Sequence, residues 1–187
     1  RALLPDLFLV VDHVCGVVCE PAPDADVVIG SAGKGLMSPP GLAFLCLGER
    51  ALERLPAQPP ASVLDLRGEL AAQRRGGTRF TPPVTLVRGL AAALRHVAER
   101  GADRLAAESR RRAASFREGL PVLAERPAAA MTAVPVEDAE AVRARLREAG
   151  VEVAGGQEGL RGRILRVAHF PHLPDAAQQA VRRELLK

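Results

Sequence analysis

Three short apolar runs near the start of the chain constrain its fold more than any other feature. Residues 7–11 and 27–29 are uninterrupted runs of apolar side chains, and a third run covers residues 42–47. Runs of this kind are typical of strands in a parallel sheet that is covered on both faces. The sequence therefore predicts an α/β fold in which the three strands share one sheet.

Asp12 and Lys34 follow the first two predicted strands. Asp12 ends the first run, and Lys34 lies in the small-residue segment 30–35, directly after the second. Both side chains are then expected just beyond the carboxyl ends of their strands, where open α/β sheets bind ligands. Small neighbours let a flat ligand approach the backbone, and we expect Lys34 to be partly desolvated, which favours the neutral amine that Schiff-base chemistry requires.

Each of these residues also has a simpler interpretation. A lone lysine is most often a solvated surface charge, and an aspartate at a strand end often serves only the turn. Their occurrence at the ends of successive strands favours a joint role instead. A carboxylate in this place can hold the nitrogen of a pyridine cofactor protonated, so that the ring withdraws electrons from the substrate.

Two other motifs overlap Lys34. A phosphate-binding P-loop needs a glycine five residues before the Gly-Lys pair and Ser or Thr after it, but the chain has Val28 and Gly35 there, which excludes that motif. Ser31 and Lys34 match the Ser-x-x-Lys pair of acyl-enzyme hydrolases. Because the accompanying Ser-Asp-Asn and Lys-Thr-Gly elements are absent, that motif stays a distant alternative.

The rest of the sequence predicts helices and a second, smaller unit. A short helix and an irregular connection are expected in residues 48–80, and apolar positions at helical spacing predict helices over 84–100 and 103–120. A strand-helix-strand-strand-helix order follows, over 131–136, 138–149, 151–154, 164–170 and from Asp175 onward, where Gln178 completes a capping-box-like pair. We expect residues 1–80 to form part of a larger domain, 81–120 connecting helices, and 121–187 a small α+β domain.

Thr81 and Arg166 are the remaining candidate ligand contacts. Thr81 precedes the helix expected from residue 84, so it is either a helix cap or, through its hydroxyl, a phosphate contact. Arg166 shares a strand face with apolar side chains. It is either paired structurally or presented to an anion such as a substrate carboxylate, and the sequence favours neither.

Composition narrows the class of protein. The net charge of +4 is mild and its densest cluster lacks interleaved aromatic side chains, so we expect no nucleic-acid binding. No stretch of the sequence approaches the ~20 apolar residues that a membrane span needs, so we expect no membrane association. The three cysteines form no CxxC pair, which predicts no metal site and a reducing, cytoplasmic setting. Because the chain begins with Arg1 rather than Met, we interpret it as a piece of a longer protein.

Five segments in order resemble the class V aminotransferases, most closely the alanine–glyoxylate and serine–glyoxylate group. They are residues 9–12, 26–44, 81–84, 151–157 and 162–169, and together they reach across nearly the whole chain. The resemblance implies the fold of type I pyridoxal 5'-phosphate (PLP) enzymes, with part of the large-domain sheet followed by the small carboxyl-terminal domain.

The resemblance also implies roles for five residues. Lys34 binds the PLP cofactor as a Schiff base and moves the substrate proton, Asp12 holds the pyridine nitrogen, and Val14 packs against the ring. Thr81 reaches the cofactor phosphate of the neighbouring subunit of a homodimer, and Arg166 binds the substrate carboxylate. The implied reaction is transamination of a small amino acid, such as alanine or serine, with glyoxylate or pyruvate as acceptor.

Several departures from the family pattern leave an alternative open. Gly33 stands where the family usually has glutamine, Thr78 where it commonly has an aromatic hydroxyl, and Phe170-Pro171 where it usually has Met-Gly. The family's first half is also absent from the sequence. The alternative is a catalytically silent class V domain that serves dimerisation or regulation.

Cysteine desulfurases share the fold but usually place histidine before the lysine and a reactive cysteine on a mobile loop. Gly33 argues against that branch. We expect Cys15, Cys19 and Cys46 to be packing residues, with Cys46 in the core.

Overall fold

The first sheet holds three strands and places Asp12 and Lys34 at one end. A computed structural model describes residues 6–57 and 63–187. In it, β1 (Val10–Asp12) pairs in parallel with β2 (Val27–Ser31), and β2 pairs antiparallel with β3 (Ala43–Leu47), giving the order β1-β2-β3. The three predicted strands and their common sheet are confirmed, although the first strand is shorter than its apolar run.

Asp26 fastens the start of this sheet. Its buried side chain, 3% exposed, accepts a hydrogen bond from Leu9 N at 2.8 Å and lies 3.5 Å from the Arg50 guanidinium. Leu9 O in turn accepts hydrogen bonds from Asp26 N and Val27 N. These contacts set the parallel register, in which Asp12 lies opposite Ile29.

The expected cover on both faces of the sheet is not provided by the described residues. Val10 is 52% exposed and Leu45 40% exposed. Cys15 and Cys46 are exposed as well, so the prediction that they pack in the core is wrong for this chain, whereas Cys19 is fully buried as expected. Too few helices of the described chain pack against the sheet to enclose both faces.

Between the two sheets, the described residues form four helices: α1 (Glu49–Glu53), α2 (Leu66–Arg74), α3 (Val84–Arg100) and α4 (Ala102–Arg117). The expected irregular connection is wrong over α2. Asp65 caps that helix by accepting a hydrogen bond from Gly68 N at 2.9 Å, and a capped start offsets the low helix propensity of Gly68. None of the helices in the described part of the chain is long and apolar enough to cross a membrane.

The carboxyl-terminal unit confirms the predicted order of elements. It contains β4 (Met131–Pro135), α5 (Ala139–Glu148), β5 (Ala154–Gly155), a 3₁₀ turn (Glu158–Leu160), β6 (Ile164–Ala168) and α6 (Asp175–Leu185). The antiparallel sheet has the order β4-β6-β5. Asp138 caps α5 through Ala141 N, and Gly150 follows the helix with φ of 76°, as expected for a glycine C′ residue.

One apolar core joins α4 to this unit. Phe116 of α4 is fully buried and packs in the same cluster as Leu146 of α5, Leu165 of β6 and Val181 of α6. The end of α4 therefore belongs energetically with residues 121–187. The predicted domain limits at residues 80 and 120 stay predictions.

Replacing Phe116 with Ala is expected to lower the free energy of unfolding by about 3–5 kcal/mol, because it removes an aromatic ring and leaves a cavity at the centre of the core. Urea unfolding of the chain measures this. Leu186→Ala is the control, since Leu186 is 51% exposed, and should change stability by less than about 0.5 kcal/mol. Equal effects of the two changes would contradict the assignment of this core.

Candidate functional site

Asp12 ends β1 at the carboxyl edge of the first sheet. Its side chain is exposed, and Oδ1 accepts a hydrogen bond from Val14 N at 3.0 Å. His13 N donates to Ile29 O at 2.9 Å, so the pairing with β2 extends one residue past the aspartate. The backbone is therefore paired with β2 both before and after Asp12. Val14 lies in the turn that follows.

Lys34 lies in a closed turn directly after β2. Ala32 N donates to Leu42 O at 3.1 Å, Ser38 N to Ala32 O at 3.1 Å, and Met37 N to Lys34 O at 2.8 Å. The Lys34 side chain is exposed and has no hydrogen-bond or ion-pair partner in residues 6–57 and 63–187. The expected partial desolvation is therefore wrong for this chain, because no described element covers the amine.

The turn after Asp12 packs directly against the turn that carries Lys34. A Cβ atom added to Gly35 would lie 2.1 Å from Val17 O and 3.1 Å from Cys19 Sγ, so only glycine allows this approach. Val18, in the same contact, has φ of 57°, which is unfavourable for a β-branched residue. The two turns thus occupy the same sheet edge, with Asp12 at the start of one and Lys34 within the other.

The small residues around Lys34 are required by packing. A Cβ atom on Gly33 would lie 3.0 Å from Pro40, so a glutamine here would need that proline to shift. Ser31 Oγ accepts a hydrogen bond from Gly33 N at 3.3 Å. Because the serine hydroxyl is engaged within its own turn, the structure offers no support for a Ser31–Lys34 pair of the acyl-enzyme type.

Thr81 does not cap a helix. α3 begins at Val84, its N-cap residue is Pro83, and no side chain caps the first turn. Thr81 is exposed, two residues ahead of the cap, so the helix-cap interpretation is wrong. The phosphate contact stays a prediction. Thr78, three residues earlier, donates its hydroxyl hydrogen to Phe80 O at 2.6 Å.

Arg166 lies on the second sheet, on the face opposite the core. Its neighbours in register are Ala133 of β4 and Ala154 of β5, whose small side chains leave room around it. Nε donates to Gly155 O at 2.7 Å, and Nη1 lies 3.5 Å from Gln157 Oε1. No carboxylate of the described residues pairs with this guanidinium, so its charge is oriented by neutral groups.

The structure brings Asp12 and Lys34 to one edge but joins neither of them directly to Thr81 or Arg166. No hydrogen bond or ion pair links the two pairs within the described parts of the chain. Glu20, at the end of the turn after Asp12, links the first sheet to the second. Its Oε1 accepts a hydrogen bond from Ala129 N, just before β4.

The structure contains a buried polar network around His169, three residues after Arg166, that the sequence analysis did not predict. His169 is fully buried; its Nε2 lies 2.7 Å from Thr132 Oγ1 and its Nδ1 lies 3.2 Å from Gln178 Oε1. Because the Gln178 oxygen only accepts, Nδ1 carries the proton, and Nε2 accepts from the Thr132 hydroxyl. Arg117 Nε donates to the same hydroxyl oxygen at 2.8 Å.

The role predicted for Gln178 explains why the sequence did not indicate this network. The expected capping-box pair with Asp175 is wrong, because α6 begins after Pro174 with no side-chain cap. Gln178 instead bridges His169 and the backbone, with Nε2 donating to Arg112 O at 2.9 Å. The only sequence signal for this role is a polar residue on the inner side of an amphipathic helix.

Burial lowers the pKa of His169 to about 4. The neighbouring Arg117 and Arg112 guanidinium groups act in the same direction, while the hydrogen bond with Gln178 opposes them. The imidazole is therefore neutral in the folded chain at neutral pH, in agreement with the tautomer that its two hydrogen bonds require.

Comparison with known proteins finds that the chain is similar mainly to proteins named as aminotransferases. No family model matches it. An aminotransferase from Helicobacter pylori is 28% identical over 179 residues, which are 91% of this chain and 48% of that relative. A soluble hydrogenase small subunit from Synechococcus is 33% identical over 183 residues, 90% of this chain and 48% of that relative. Other relatives are named as aminotransferases with glyoxylate or pyruvate as acceptor.

The pyridoxamine–pyruvate aminotransferase of Mesorhizobium loti has a similar solved structure. Its TM-score is 0.88 at 28% sequence identity, covering 98% of this chain and 53% of that one. The chain thus spans about half the length of the curated relatives and solved structures that it matches.

The stability of the chain is expected to fall as the pH drops from about 6.5 towards 4. In this window an unfolded histidine, with a pKa near 6.5, binds a proton that folded His169, with a pKa of about 4, does not. The contribution of His169 is fully present above pH 6.5 and is lost as the pH falls, by on the order of 3 kcal/mol.

Urea unfolding at a series of pH values measures this loss, and His169→Gln should reduce the slope over the same window even if the variant is less stable throughout. An NMR titration of the imidazole in the unaltered chain gives an independent test. A His169 midpoint near 6.5 would contradict the assignment.

Proposed function

Because the chain is homologous to the class V aminotransferases and has the structure of fold type I, we propose that it forms the carboxyl-terminal half of a PLP-dependent aminotransferase. The observation that carries the proposal is the contact at Gly35, where the Asp12 turn meets the Lys34 turn. An amine and a carboxylate at one sheet edge are the two groups that a pyridine-aldehyde cofactor needs.

The residues present fit this cofactor. Gly33 and Gly35 keep the backbone around Lys34 free of side chains, and the exposed amine has no competing partner among the described residues. When bound, PLP supplies a ring that stabilises negative charge on the substrate Cα. Lys34 Nζ would hold the cofactor through its aldehyde carbon and, as a free amine once the substrate amine has replaced it, would move the proton at the substrate Cα. The Asp12 carboxylate would keep the ring nitrogen protonated, and Val14 would pack against the ring.

Arg166 orients the substrate in this proposal. Its guanidinium is fixed through Gly155 O and Gln157, while its charge has no carboxylate partner in the described chain. A substrate carboxylate supplies that partner, and a planar guanidinium binds it with two parallel hydrogen bonds. The proposed substrates are a small amino acid and, as amino acceptor, glyoxylate or pyruvate, the acceptors named for several relatives.

Thr81 and α3 support assembly as a homodimer. No residue of α3 is buried, and Val84, Val87 and Leu94 on this helix are each about half exposed. Apolar side chains grouped on one helix favour an interface. In this arrangement Thr81, which lies just ahead of α3, contacts the cofactor phosphate of the neighbouring subunit.

The three free thiols fit a reducing compartment such as the cytoplasm.

A second candidate is a catalytically silent domain that serves assembly or regulation. It is favoured by the exposure of Lys34, by Gly33 in place of a side chain with an amide group, and by a relative of 33% identity that is named as a hydrogenase subunit. In that case the fold and the α3 surface are retained without cofactor chemistry.

Labelling with PLP separates the two candidates, because the chain has only two lysines, Lys34 and Lys187. Lys187 is 72% exposed and pairs with Glu184, so it reports non-specific reaction. After incubation with PLP, borohydride reduction and peptide mapping, we expect modification mainly at Lys34. Lys187→Ala should leave this adduct unchanged, and Lys34→Ala should abolish it. Equal labelling of both lysines, or none, would favour the silent domain.

In the complete enzyme, Arg166→Gln is expected to lower kcat/KM for the amino acid substrate by roughly 100-fold, since a charged hydrogen-bonding partner of the carboxylate is lost. Arg163→Gln is the matched control, because Arg163 is exposed and just outside β6. Steady-state kinetics of both variants measure the difference, and a loss of similar size in both would count against a carboxylate role for Arg166.

A further inference from the structure

A polar cleft between α4 and α6 lies apart from the candidate active-site residues. It has a volume of about 310 Å³ and is lined by side chains of the two helices: Glu108, Arg111, Arg112, Ser115, Phe116, Asp175, Gln178, Gln179 and Arg182. None of these residues has a role in the proposed aminotransferase chemistry. A volume of this size is sufficient for a small metabolite.

The carboxylates of the cleft are already paired. Asp175 Oδ1 lies 2.5 Å from Arg112 Nη2, and Glu108 contacts Arg100 Nη2 at 3.0 Å and Arg112 Nε at 3.7 Å. Arg112 is further fixed by donating to Phe170 O at 3.0 Å. Together with Arg100, these residues form a wall of two guanidinium groups and two carboxylates whose charges are balanced.

Two other guanidinium groups of the cleft have no carboxylate partner in the described chain. Arg182 donates Nη2 to Glu118 O at 2.6 Å, but its Nε is buried and has no hydrogen-bond partner. Arg111 on the facing helix is exposed and has no hydrogen-bond or ion-pair partner among the described residues. Two cations that line one cleft without a carboxylate partner favour an anion as its ligand.

Neutral donors lie beside these charges. Ser115 is one turn along α4 from Arg111, and Gln179 is nearly one turn before Arg182 on α6, so each helix presents a guanidinium and a neutral donor to the same cleft. An oxyanion bound between them accepts hydrogen bonds from these donors and balances the two charges.

We propose that this cleft is a binding site for a small oxyanion, a phosphate or carboxylate compound, held by Arg111, Ser115, Gln179 and Arg182. The site does not depend on the proposed aminotransferase function, because it uses neither Lys34, Asp12 nor Arg166. Gln178 links its floor to His169, three residues after Arg166 in the chain.

Calorimetric titration of the chain with inorganic phosphate, and separately with succinate, at constant ionic strength in chloride tests the proposal. We expect saturable binding of at least one anion by about 10 mM. Phosphate binding alone identifies a phosphate compound as the ligand class, and succinate binding that phosphate displaces identifies a shared oxyanion site.

Arg111→Gln should weaken binding by about tenfold or more, since a charged donor is lost, while the matched control Arg110→Gln, one position along the same exposed helix surface and outside the cleft lining, should change it less than about twofold. Ser115→Ala provides a second variant that leaves the charge unchanged and should also weaken binding. Absence of saturable binding by both anions, or equal weakening by Arg111→Gln and Arg110→Gln, would overturn the proposal.

Discussion

The parallel pairing of β1 with β2 is the interaction on which the candidate site depends. In its register Asp12 lies opposite Ile29, two residues before the end of β2, and Lys34 follows in the next turn. A register shift of one residue moves every side chain of a strand to the other face. Asp26, buried between Leu9 and Arg50, opposes such a shift, so a structural carboxylate just before β2 helps to set the position of Asp12 at the end of β1.

Close backbone packing then brings the two turns together. Gly35 allows Val17 O to approach closer than any side chain would permit, and the strained backbone of Val18 is held by the same contact. The second sheet positions Arg166 differently, through alanine neighbours on both sides and neutral acceptors around the guanidinium. At the candidate site, the turns with Asp12 and Lys34 thus pack against each other, whereas Arg166 is positioned by the second sheet.

Local patterns predicted most elements of this fold, because strands of uninterrupted apolar residues and helices with a clear period are determined largely by their own sequence. α2 was not predicted because Gly68 weakens its helical pattern. Asp65, the capping residue, is the feature that indicates this helix. The cover of β3 was overestimated, because the exposure of Cys46 depends on what packs against the sheet rather than on the strand. Thr81 was considered a possible cap, but α3 begins only after the two prolines that follow Thr81.

The polar network illustrates a different difficulty. Thr132 and His169 are far apart in the sequence, and no sequence pattern pairs them, so their contact follows only from the antiparallel pairing of β4 with β6. Asp12 and Lys34, by contrast, were located correctly at the sheet edge because each directly follows a recognisable strand. Residues whose position depends on one local element were predictable, and those whose position depends on two distant elements were not.

The hydrogen bond between Glu20 and Ala129 has a mechanical consequence. It joins the turn after Asp12 directly to the backbone just before β4. A carboxyl-terminal unit that moved while keeping this bond would displace that turn with it. Glu20 therefore ties the start of the second sheet to the edge of the first.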